Sequence, residues 1–216
     1  MLMPGFIAIG MLHSSDPRQA LSWVIQDLHQ RGWAAGTGGN FSLVTNRDPL
    51  RLLMAPSGVD KGLVQPDDLI EVNAQGQVLA GHGKASAETL LHLAIIQQTG
   101  AASVLHTHSP IATLLSRRAE AATAIAFSGY EMLKGLEGIT THATEVRLPV
   151  FPNDQDMVAL SQAVLPNLQA APPWGVLIAG HGLYAWGNSL FAARRHVEIL
   201  EFLLELHYRE LAIASH

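Results

Sequence analysis

Two histidines one residue apart, His106 and His108, are the residues of this sequence best suited to chemistry. They end the stretch 102–108, whose apolar start predicts a β-strand. Because side chains alternate along a strand, both imidazoles project from the same face and can bind one metal ion. Ser109 and Pro110 then form an N-cap and a first-turn proline, which predict a helix directly after the strand. The alternative is a pair of surface histidines, and the rest of the chain decides between the two.

A further candidate ligand is His181, which lies between Gly180 and Gly182. The stretches 174–179 and 183–186 predict two strands, so this histidine occupies the tight junction between them. Flanking glycines let the backbone bend so that an imidazole can turn towards a metal held elsewhere. We therefore predict that His181 can join His106 and His108.

Two glycine-containing loops have the composition of a phosphate cradle. Residues 36–42 (GTGGNFS) allow positive φ angles and bring backbone N–H groups close to a ligand. Residues 55–61 (APSGVDK) add the hydroxyl of Ser57, the amide of Gly58 and the ammonium of Lys61. A plain turn is the alternative for each loop alone. The pattern is not a P-loop, because it lacks the Gly-Lys-Ser/Thr ending.

Two glutamates are candidates for proton transfer. Residues 84–88 (KASAE) open a predicted helix that runs to about Thr99, with Ser86 as N-cap and Glu88 in the first turn. There Glu88 can simply complement the helix dipole. Glu131 lies in residues 130–135 (YEMLKG), a loop or single helical turn whose only other charge is Lys134. A local surface ion pair is the alternative for Glu131.

Composition limits the classes of protein that these residues can belong to. The 216 residues suit one domain, and 48% apolar against 14% charged residues suggests that the chain forms subunit interfaces. No apolar run has the roughly 18–20 residues of a membrane span. A net charge of −5 argues against a nucleic-acid partner, and the absence of cysteine excludes disulfides. A cytoplasmic location is the default expectation.

The order of predicted elements indicates one α/β domain over residues 1–216, with residues 1–15 as a loosely structured lead-in. Helices and strands alternate from an amphipathic helix at 17–31 to a long C-terminal helix, which places helices on both faces of a sheet. Short turns between successive strands predict antiparallel neighbours. Pro149, within the predicted strand 146–151, suits an edge position.

Five short motifs occur in the order seen in class II aldolases and adducin-like proteins. They are residues 38–42 (GGNFS), 56–58 (PSG), 86–88 (SAE), 106–109 (HTHS) and 180–182 (GHG), and the similarity runs from about residue 17 to residue 210. Within this superfamily, residues 55–61, 131–135 (EMLKG) and 181–187 (HGLYAWG) resemble the dehydratases that act on methylthioribulose 1-phosphate in methionine salvage.

The resemblance implies a three-layer α/β/α sandwich with a mixed, largely antiparallel central sheet. It also implies one zinc ion per subunit, held by His106, His108 and His181, which leaves the open coordination position of a catalytic zinc. Family members are usually tetramers with the site at a subunit interface. The phosphate of a sugar phosphate substrate would bind to a set of loop residues, with Lys61 nearby: Gly39, Asn40, Ser57, Gly58 and Ser86.

The chemistry implied by the resemblance is a hydro-lyase reaction in which Glu131 is the acid/base. Glu88 matches the acidic position that the aldolases use, so the division of labour between the two glutamates stays open. One alternative is a class II sugar-phosphate aldolase or epimerase that shares the same zinc and phosphate sites. Another is a non-catalytic, adducin-like assembly domain, although such a domain has no need of three histidines and two carboxylates.

Overall fold

The computed structural model describes residues 16–168 and 174–214, so the lead-in predicted for residues 1–15 lies outside the described residues. Five α-helices lie within these ranges: α1 (Pro17–Gln30), α2 (Thr89–Thr99), α3 (Pro110–Ala119), α4 (Met157–Val164) and α5 (Leu190–Ala214). The strands there are β1 (Asn40–Arg47), β2 (Leu50–Met54), β3 (Ile70–Asn73), β4 (Val78–Ala80), β5 (Ser103–Thr107), β6 (Ala124–Phe127), β7 (Val146–Phe151), β8 (Gly175–Ile178) and β9 (Gly182–Gly187).

The nine described strands form one sheet in the order β4-β3-β2-β1-β5-β9-β8-β7-β6. Only β7 and β8 run parallel, and every other neighbouring pair is antiparallel. The predicted mixed, largely antiparallel sheet is therefore confirmed. Strand β5 lies at its centre, between β1 and β9, so the histidine pair at its end has structure on both sides.

Helices cover both faces of the sheet. One apolar cluster joins α1, α3 and α5 to one face, and a second joins α2 and α4 to the other. Along β5 the alternation is direct, since Leu105 belongs to the first cluster and Val104 to the second. Buried side chains such as Leu21 and Ile25 of α1 each contribute about 1.5–3 kcal/mol. The result is the expected three-layer α/β/α sandwich.

Local sequence signals fix the starts of two helices. Asp16 caps α1 by accepting a hydrogen bond of 2.9 Å from the N–H of Arg18. Ser109 caps α3 in the same way, accepting from the N–H of Ala112 at 3.1 Å. Each cap is followed by a proline, as the sequence predicts. Helix α3 therefore begins immediately beyond the histidine pair.

The structure corrects two expectations. Helix α2 begins at Thr89, so its N-cap residue is Glu88 and not Ser86 as predicted. The residues before it form a turn in which Ser86 Oγ accepts from the N–H of Glu88 at 3.3 Å. Strand β7 lies inside the sheet, not at its edge. Pro149 is tolerated there because β8 pairs only with the last two residues of β7, beyond the proline. No helix within the described ranges is long and apolar enough to cross a membrane.

Candidate metal centre and phosphate cradle

Three strands position the first histidine of the pair. His106 on β5 lies opposite Asn40 on β1 and opposite Tyr184 on β9. His108 follows one residue beyond the strand, and its N–H donates to the carbonyl of Trp33 at 2.7 Å. His181 lies in the turn between β8 and β9, as the sequence predicts. The central antiparallel pair β5–β9 therefore brings residues 75 positions apart to the same place.

The three histidines converge with Glu88, and one ligand atom from each of the four residues lies within 4.8 Å of the others. His106 Nε2 is 2.7 Å from His108 Nε2 and 3.3 Å from His181 Nε2. Glu88 Oε1 is 3.0 Å from His181 Nε2 and 3.4 Å from His106 Nε2. Three imidazole nitrogens and one carboxylate oxygen thus face a common point.

The protonation states of this group favour metal binding. His106 Nδ1 donates to the carbonyl of Leu183 at 3.0 Å, which leaves a lone pair on Nε2 directed at the group. Burial lowers the pKa of His106, against the opposing effect of its hydrogen bond to Glu88. Burial and the neighbouring histidines lower the pKa of His108 to about 3. Neutral imidazoles are the form that binds metals.

Glu88 is held as a carboxylate. Burial opposes its ionisation, but the adjacent imidazoles of His106 and His181 outweigh burial and keep the pKa of this carboxyl well below its usual range. The side-chain amide of Asn40, which is 5% exposed, also donates to Glu88 and reaches Ser86 Oγ at 3.2 Å. The donor set of three imidazoles and one carboxylate fits a divalent metal ion.

Tyr184 and His92 belong to the site and were missed by sequence reasoning. The ring of Tyr184 stacks on His106 with centroids 3.8 Å apart and planes 11° from parallel. His92 meets the edge of that ring at 5.7 Å, and its Nδ1 lies 2.8 Å from Ser42 Oγ. Burial and the charge of Glu88 raise the pKa of Tyr184 well above its ordinary value. The spacing of four residues between Glu88 and His92 was the available signal, because it places both on one helical face.

Three loops bring the predicted phosphate-binding residues together. The N–H of Lys61 donates to the carbonyl of Gly36 at 3.2 Å, and the N–H of Ser57 donates to that of Lys84 at 2.8 Å. Gly39 has φ +81°, and a Cβ there would approach the carbonyl oxygen of His106 to 2.7 Å. The set lies on these loops, apart from Asn40 at the start of β1, and has two exposed and four partly or fully buried members: Ser57, Gly58, Gly39, Asn40, Lys61 and Ser86.

The side chain of Lys61 holds the loops of the cradle in place. It is 1% exposed, and its Nζ donates to the carbonyls of Thr37 at 2.9 Å and Val59 at 3.1 Å. Burial lowers the pKa of Lys61, and the charge of Glu88 opposes that shift. One of its three N–H groups therefore ties the second loop to the first, another bonds within its own loop, and one remains for a further acceptor.

The structure places Glu131 apart from this group. It lies in the short 3₁₀ helix Glu131–Gly135, is 69% exposed, and forms an ion pair with Lys134. Its Oε1 is also 3.4 Å from His142 Nδ1. Within one described chain, Glu88 is thus the carboxylate that meets the histidines, and Glu131 is a surface group.

Residues 19–208 match the family described as Class II Aldolase and Adducin N-terminal domain. The chain belongs to this family. A methylthioribulose-1-phosphate dehydratase from Picosynechococcus sp. is 43% identical over 205 residues, which cover 94% of this chain and 96% of the relative. The enzyme of the same name from Xanthomonas campestris pv. campestris (strain 8004) is 42% identical, with 91% and 90% covered.

Solved class II aldolase structures share the fold. L-fuculose-1-phosphate aldolase from Thermus thermophilus superposes with a TM-score of 0.71 at 25% identity, covering 91% of this chain and 96% of that one. YgbL from Escherichia coli has a TM-score of 0.75 at 28% identity, covering 88% and 87%. The family's architecture therefore extends over nearly the whole described chain.

Proposed function

We propose that this class II aldolase family member is a zinc-dependent hydro-lyase of methionine salvage. It would convert 5-methylthioribulose 1-phosphate to 2,3-diketo-5-methylthiopentyl 1-phosphate. The observation that carries the proposal is the convergence of three imidazoles with an ionised glutamate, in a chain 43% identical to a protein of that name. A non-catalytic assembly domain has no use for such a centre.

His106, His108 and His181 would hold one zinc ion per subunit through Nε2 atoms that face a common point. When bound, zinc supplies Lewis-acid stabilisation of the negative charge that develops on the C2 oxygen of the ketose phosphate. The chain's own contribution is to lower the pKa of His106 and His108 by burial and to fix the direction of the imidazoles. Stacking by Tyr184 and the hydrogen bond to Leu183 fix the direction of His106.

The dehydration needs two proton transfers. The proton on C3 must be removed, and the hydroxyl on C4 must be protonated as it leaves, which gives water and an enol that tautomerises to the 2,3-diketone. Glu88 suits the first step, because it is ionised and lies beside the histidines. Each such transfer typically contributes about 10²–10⁴-fold to the rate. We assign protonation of the leaving hydroxyl to Glu131.

Glu131 can fulfil this role only in an assembly. As an exposed carboxylate beside Lys134 it has a lowered pKa, so within one chain it is ionised and has no proton to donate. Burial against a neighbouring copy would remove water from it and favour its protonated form. We therefore propose a homo-oligomer, a tetramer by the family's pattern, with the site between subunits. Exposed apolar side chains of α5 offer a contact surface: Phe191, Phe202 and Ile213.

The loops described above would bind the substrate's phosphate. Ser57 and Gly58 are exposed at the mouth of the cradle, and Gly39 brings backbone close to His106. Lys61 adds a positive charge and one N–H, while it also holds the loops together. Phosphate and metal sites are thus contiguous, which suits a small sugar phosphate. We place the reaction in the cytoplasm.

The test is a direct comparison of substrates on the purified protein. We expect loss of water from methylthioribulose 1-phosphate, with about one zinc per chain by metal analysis. The second candidate is a sugar-phosphate aldolase, which the superposition with L-fuculose-1-phosphate aldolase supports. Cleavage of fuculose 1-phosphate or rhamnulose 1-phosphate without dehydration would establish that candidate and refute ours.

A further inference from the structure

A buried carboxyl group lies behind the metal centre and takes no part in the proposed reaction. Glu201 projects from α5 and is 4% exposed. Its Oε1 accepts a hydrogen bond of 2.8 Å from Thr107 Oγ1, and its Oε2 accepts one of 2.6 Å from Ser109 Oγ. The carboxylate therefore joins two hydroxyls that are separated in the chain only by His108.

The two hydroxyls lie on the side of the chain opposite the metal centre. Thr107 ends β5, and by the alternation of a strand its side chain points away from the face that carries His106. Ser109 is the N-cap of α3 and accepts from the N–H of Ala112. Glu201 thus links the last residue of the strand to the first turn of the helix, at the point where the chain changes direction.

A carboxyl group is costly to bury in this position. Burial raises the pKa of Glu201 to about 7, although the hydrogen bonds from Ser109 and Thr107 act in the opposite direction. The negative charge of Glu205, one turn along α5, raises it further. An apolar side chain would avoid this desolvation cost but would leave the hydroxyls of Thr107 and Ser109 without this acceptor.

We propose that Glu201 is a positioning residue of the metal centre, which fixes the backbone at residues 107–109 and thereby the direction of the His108 imidazole. Two other contacts complete the support of His108. Its N–H donates to Trp33, and Gly38 lies so close that a Cβ there would come within 2.9 Å of His108 Nδ1. The inference rests on the proposed function, because it requires that His108 bind a metal.

The experiment measures the affinity of metal-free protein for zinc, by competition with a chromophoric chelator. Glu201→Gln keeps the side-chain shape but replaces one acceptor oxygen with an NH₂ donor. One of the two hydroxyls therefore loses its hydrogen-bond acceptor. We expect zinc affinity to fall about tenfold, the lower end of the range for residues that orient metal ligands. Thr107→Val, which removes one hydroxyl and keeps the branched shape, should cause a similar loss.

A double variant and a control separate positioning from general destabilisation. If Glu201 acts through Thr107, then Glu201→Gln combined with Thr107→Val should weaken zinc binding by less than the product of the single effects. Glu198→Gln removes another carboxylate of α5, one paired with Arg31 and Arg194, and should leave zinc affinity unchanged.

The outcomes distinguish this inference from the proposed function. Wild-type protein that binds no zinc refutes the metal centre itself and the inference with it. Tight zinc binding by the wild type and equally tight binding by Glu201→Gln overturns only the role of Glu201, even if that variant melts at a lower temperature. Should Glu201→Gln not fold, Thr107→Val decides: unchanged affinity refutes the inference, and a tenfold loss supports it.

Discussion

Two regions of the molecule each contain one glutamate and one lysine, and these residues differ in their exposure and in their partners. At the metal centre, Glu88 is 16% exposed and Lys61 is 1% exposed, and each is held by fixed partners. In the segment 131–135, Glu131 is 69% exposed and Lys134 is 46% exposed, and they pair with each other. The side chains of the first region are therefore fixed by contacts within one chain, whereas those of the second are open to solvent.

This difference shows that the residue type and the sequence motif of a glutamate do not predict which groups its carboxylate contacts. Glu88 lies at the start of α2, where it contacts histidines from the β5 end and from the β8–β9 turn. Glu131 lies in a short helix packed against α5, and its partners are local in sequence. A carboxylate of the first kind can act in a single chain, and one of the second kind needs another surface.

The largest expected effect is at the buried carboxylate. Glu88→Gln keeps the shape and the three histidines but removes the proton acceptor, so kcat for dehydration should fall about 10³-fold while zinc is retained. Steady-state kinetics together with metal analysis check this. Turnover close to that of the wild type would mean that Glu88 serves the histidines structurally and that the base lies elsewhere.

Substitution of the exposed carboxylate, Glu131, should cause a smaller loss of kcat, and a second chain with an intact Glu131 should restore part of it. Glu131→Gln is expected to lower kcat about 10²-fold. If Glu131 serves a neighbouring site, co-assembly of Glu131→Gln chains with His106→Ala chains should restore part of the activity, because mixed interfaces contain one intact site. Pairing Glu131→Gln with a chain that carries both substitutions is the control, and it should remain inactive. Absence of recovery would contradict action between subunits.

The two lysines offer a matched pair for substrate binding. Lys61→Met removes the ammonium from the cradle, and KM for the sugar phosphate should rise about tenfold with little change in kcat, because a remote phosphate contact is largely uniform binding. Lys134→Met makes the same chemical change at the surface and should leave KM near its original value. Inorganic phosphate should inhibit the wild type competitively, and equal KM values for both variants would refute the assignment of Lys61.

Much of the fold follows from local signals in the sequence, and these are the features that were predicted. The caps Asp16 and Ser109 and the pairing of His106 with His108 depend on neighbours within a few residues. The glycines beside His181 made it a candidate ligand, and the family resemblance placed it in one ligand set with His106 and His108. Local pattern carries no information on Glu201, because its partner Thr107 lies 94 residues away.

The smallest expected effect tests the surface pair itself. Lys134 is the main reason that the pKa of Glu131 lies below its ordinary value, with a further contribution from His142. A carboxylate with a lowered pKa in the folded state stabilises the protein above the unfolded pKa, and this stabilisation disappears as the pH falls through the folded value. The stability difference between the wild type and Lys134→Met should therefore be small at neutral pH and vanish in acid.

Chemical denaturation at several pH values, in low and high salt, measures this stability difference. Because the pair is exposed, salt should screen the difference. A difference that is large, or that persists in high salt, would mean that Glu131 and Lys134 are shielded from solvent by a neighbouring chain.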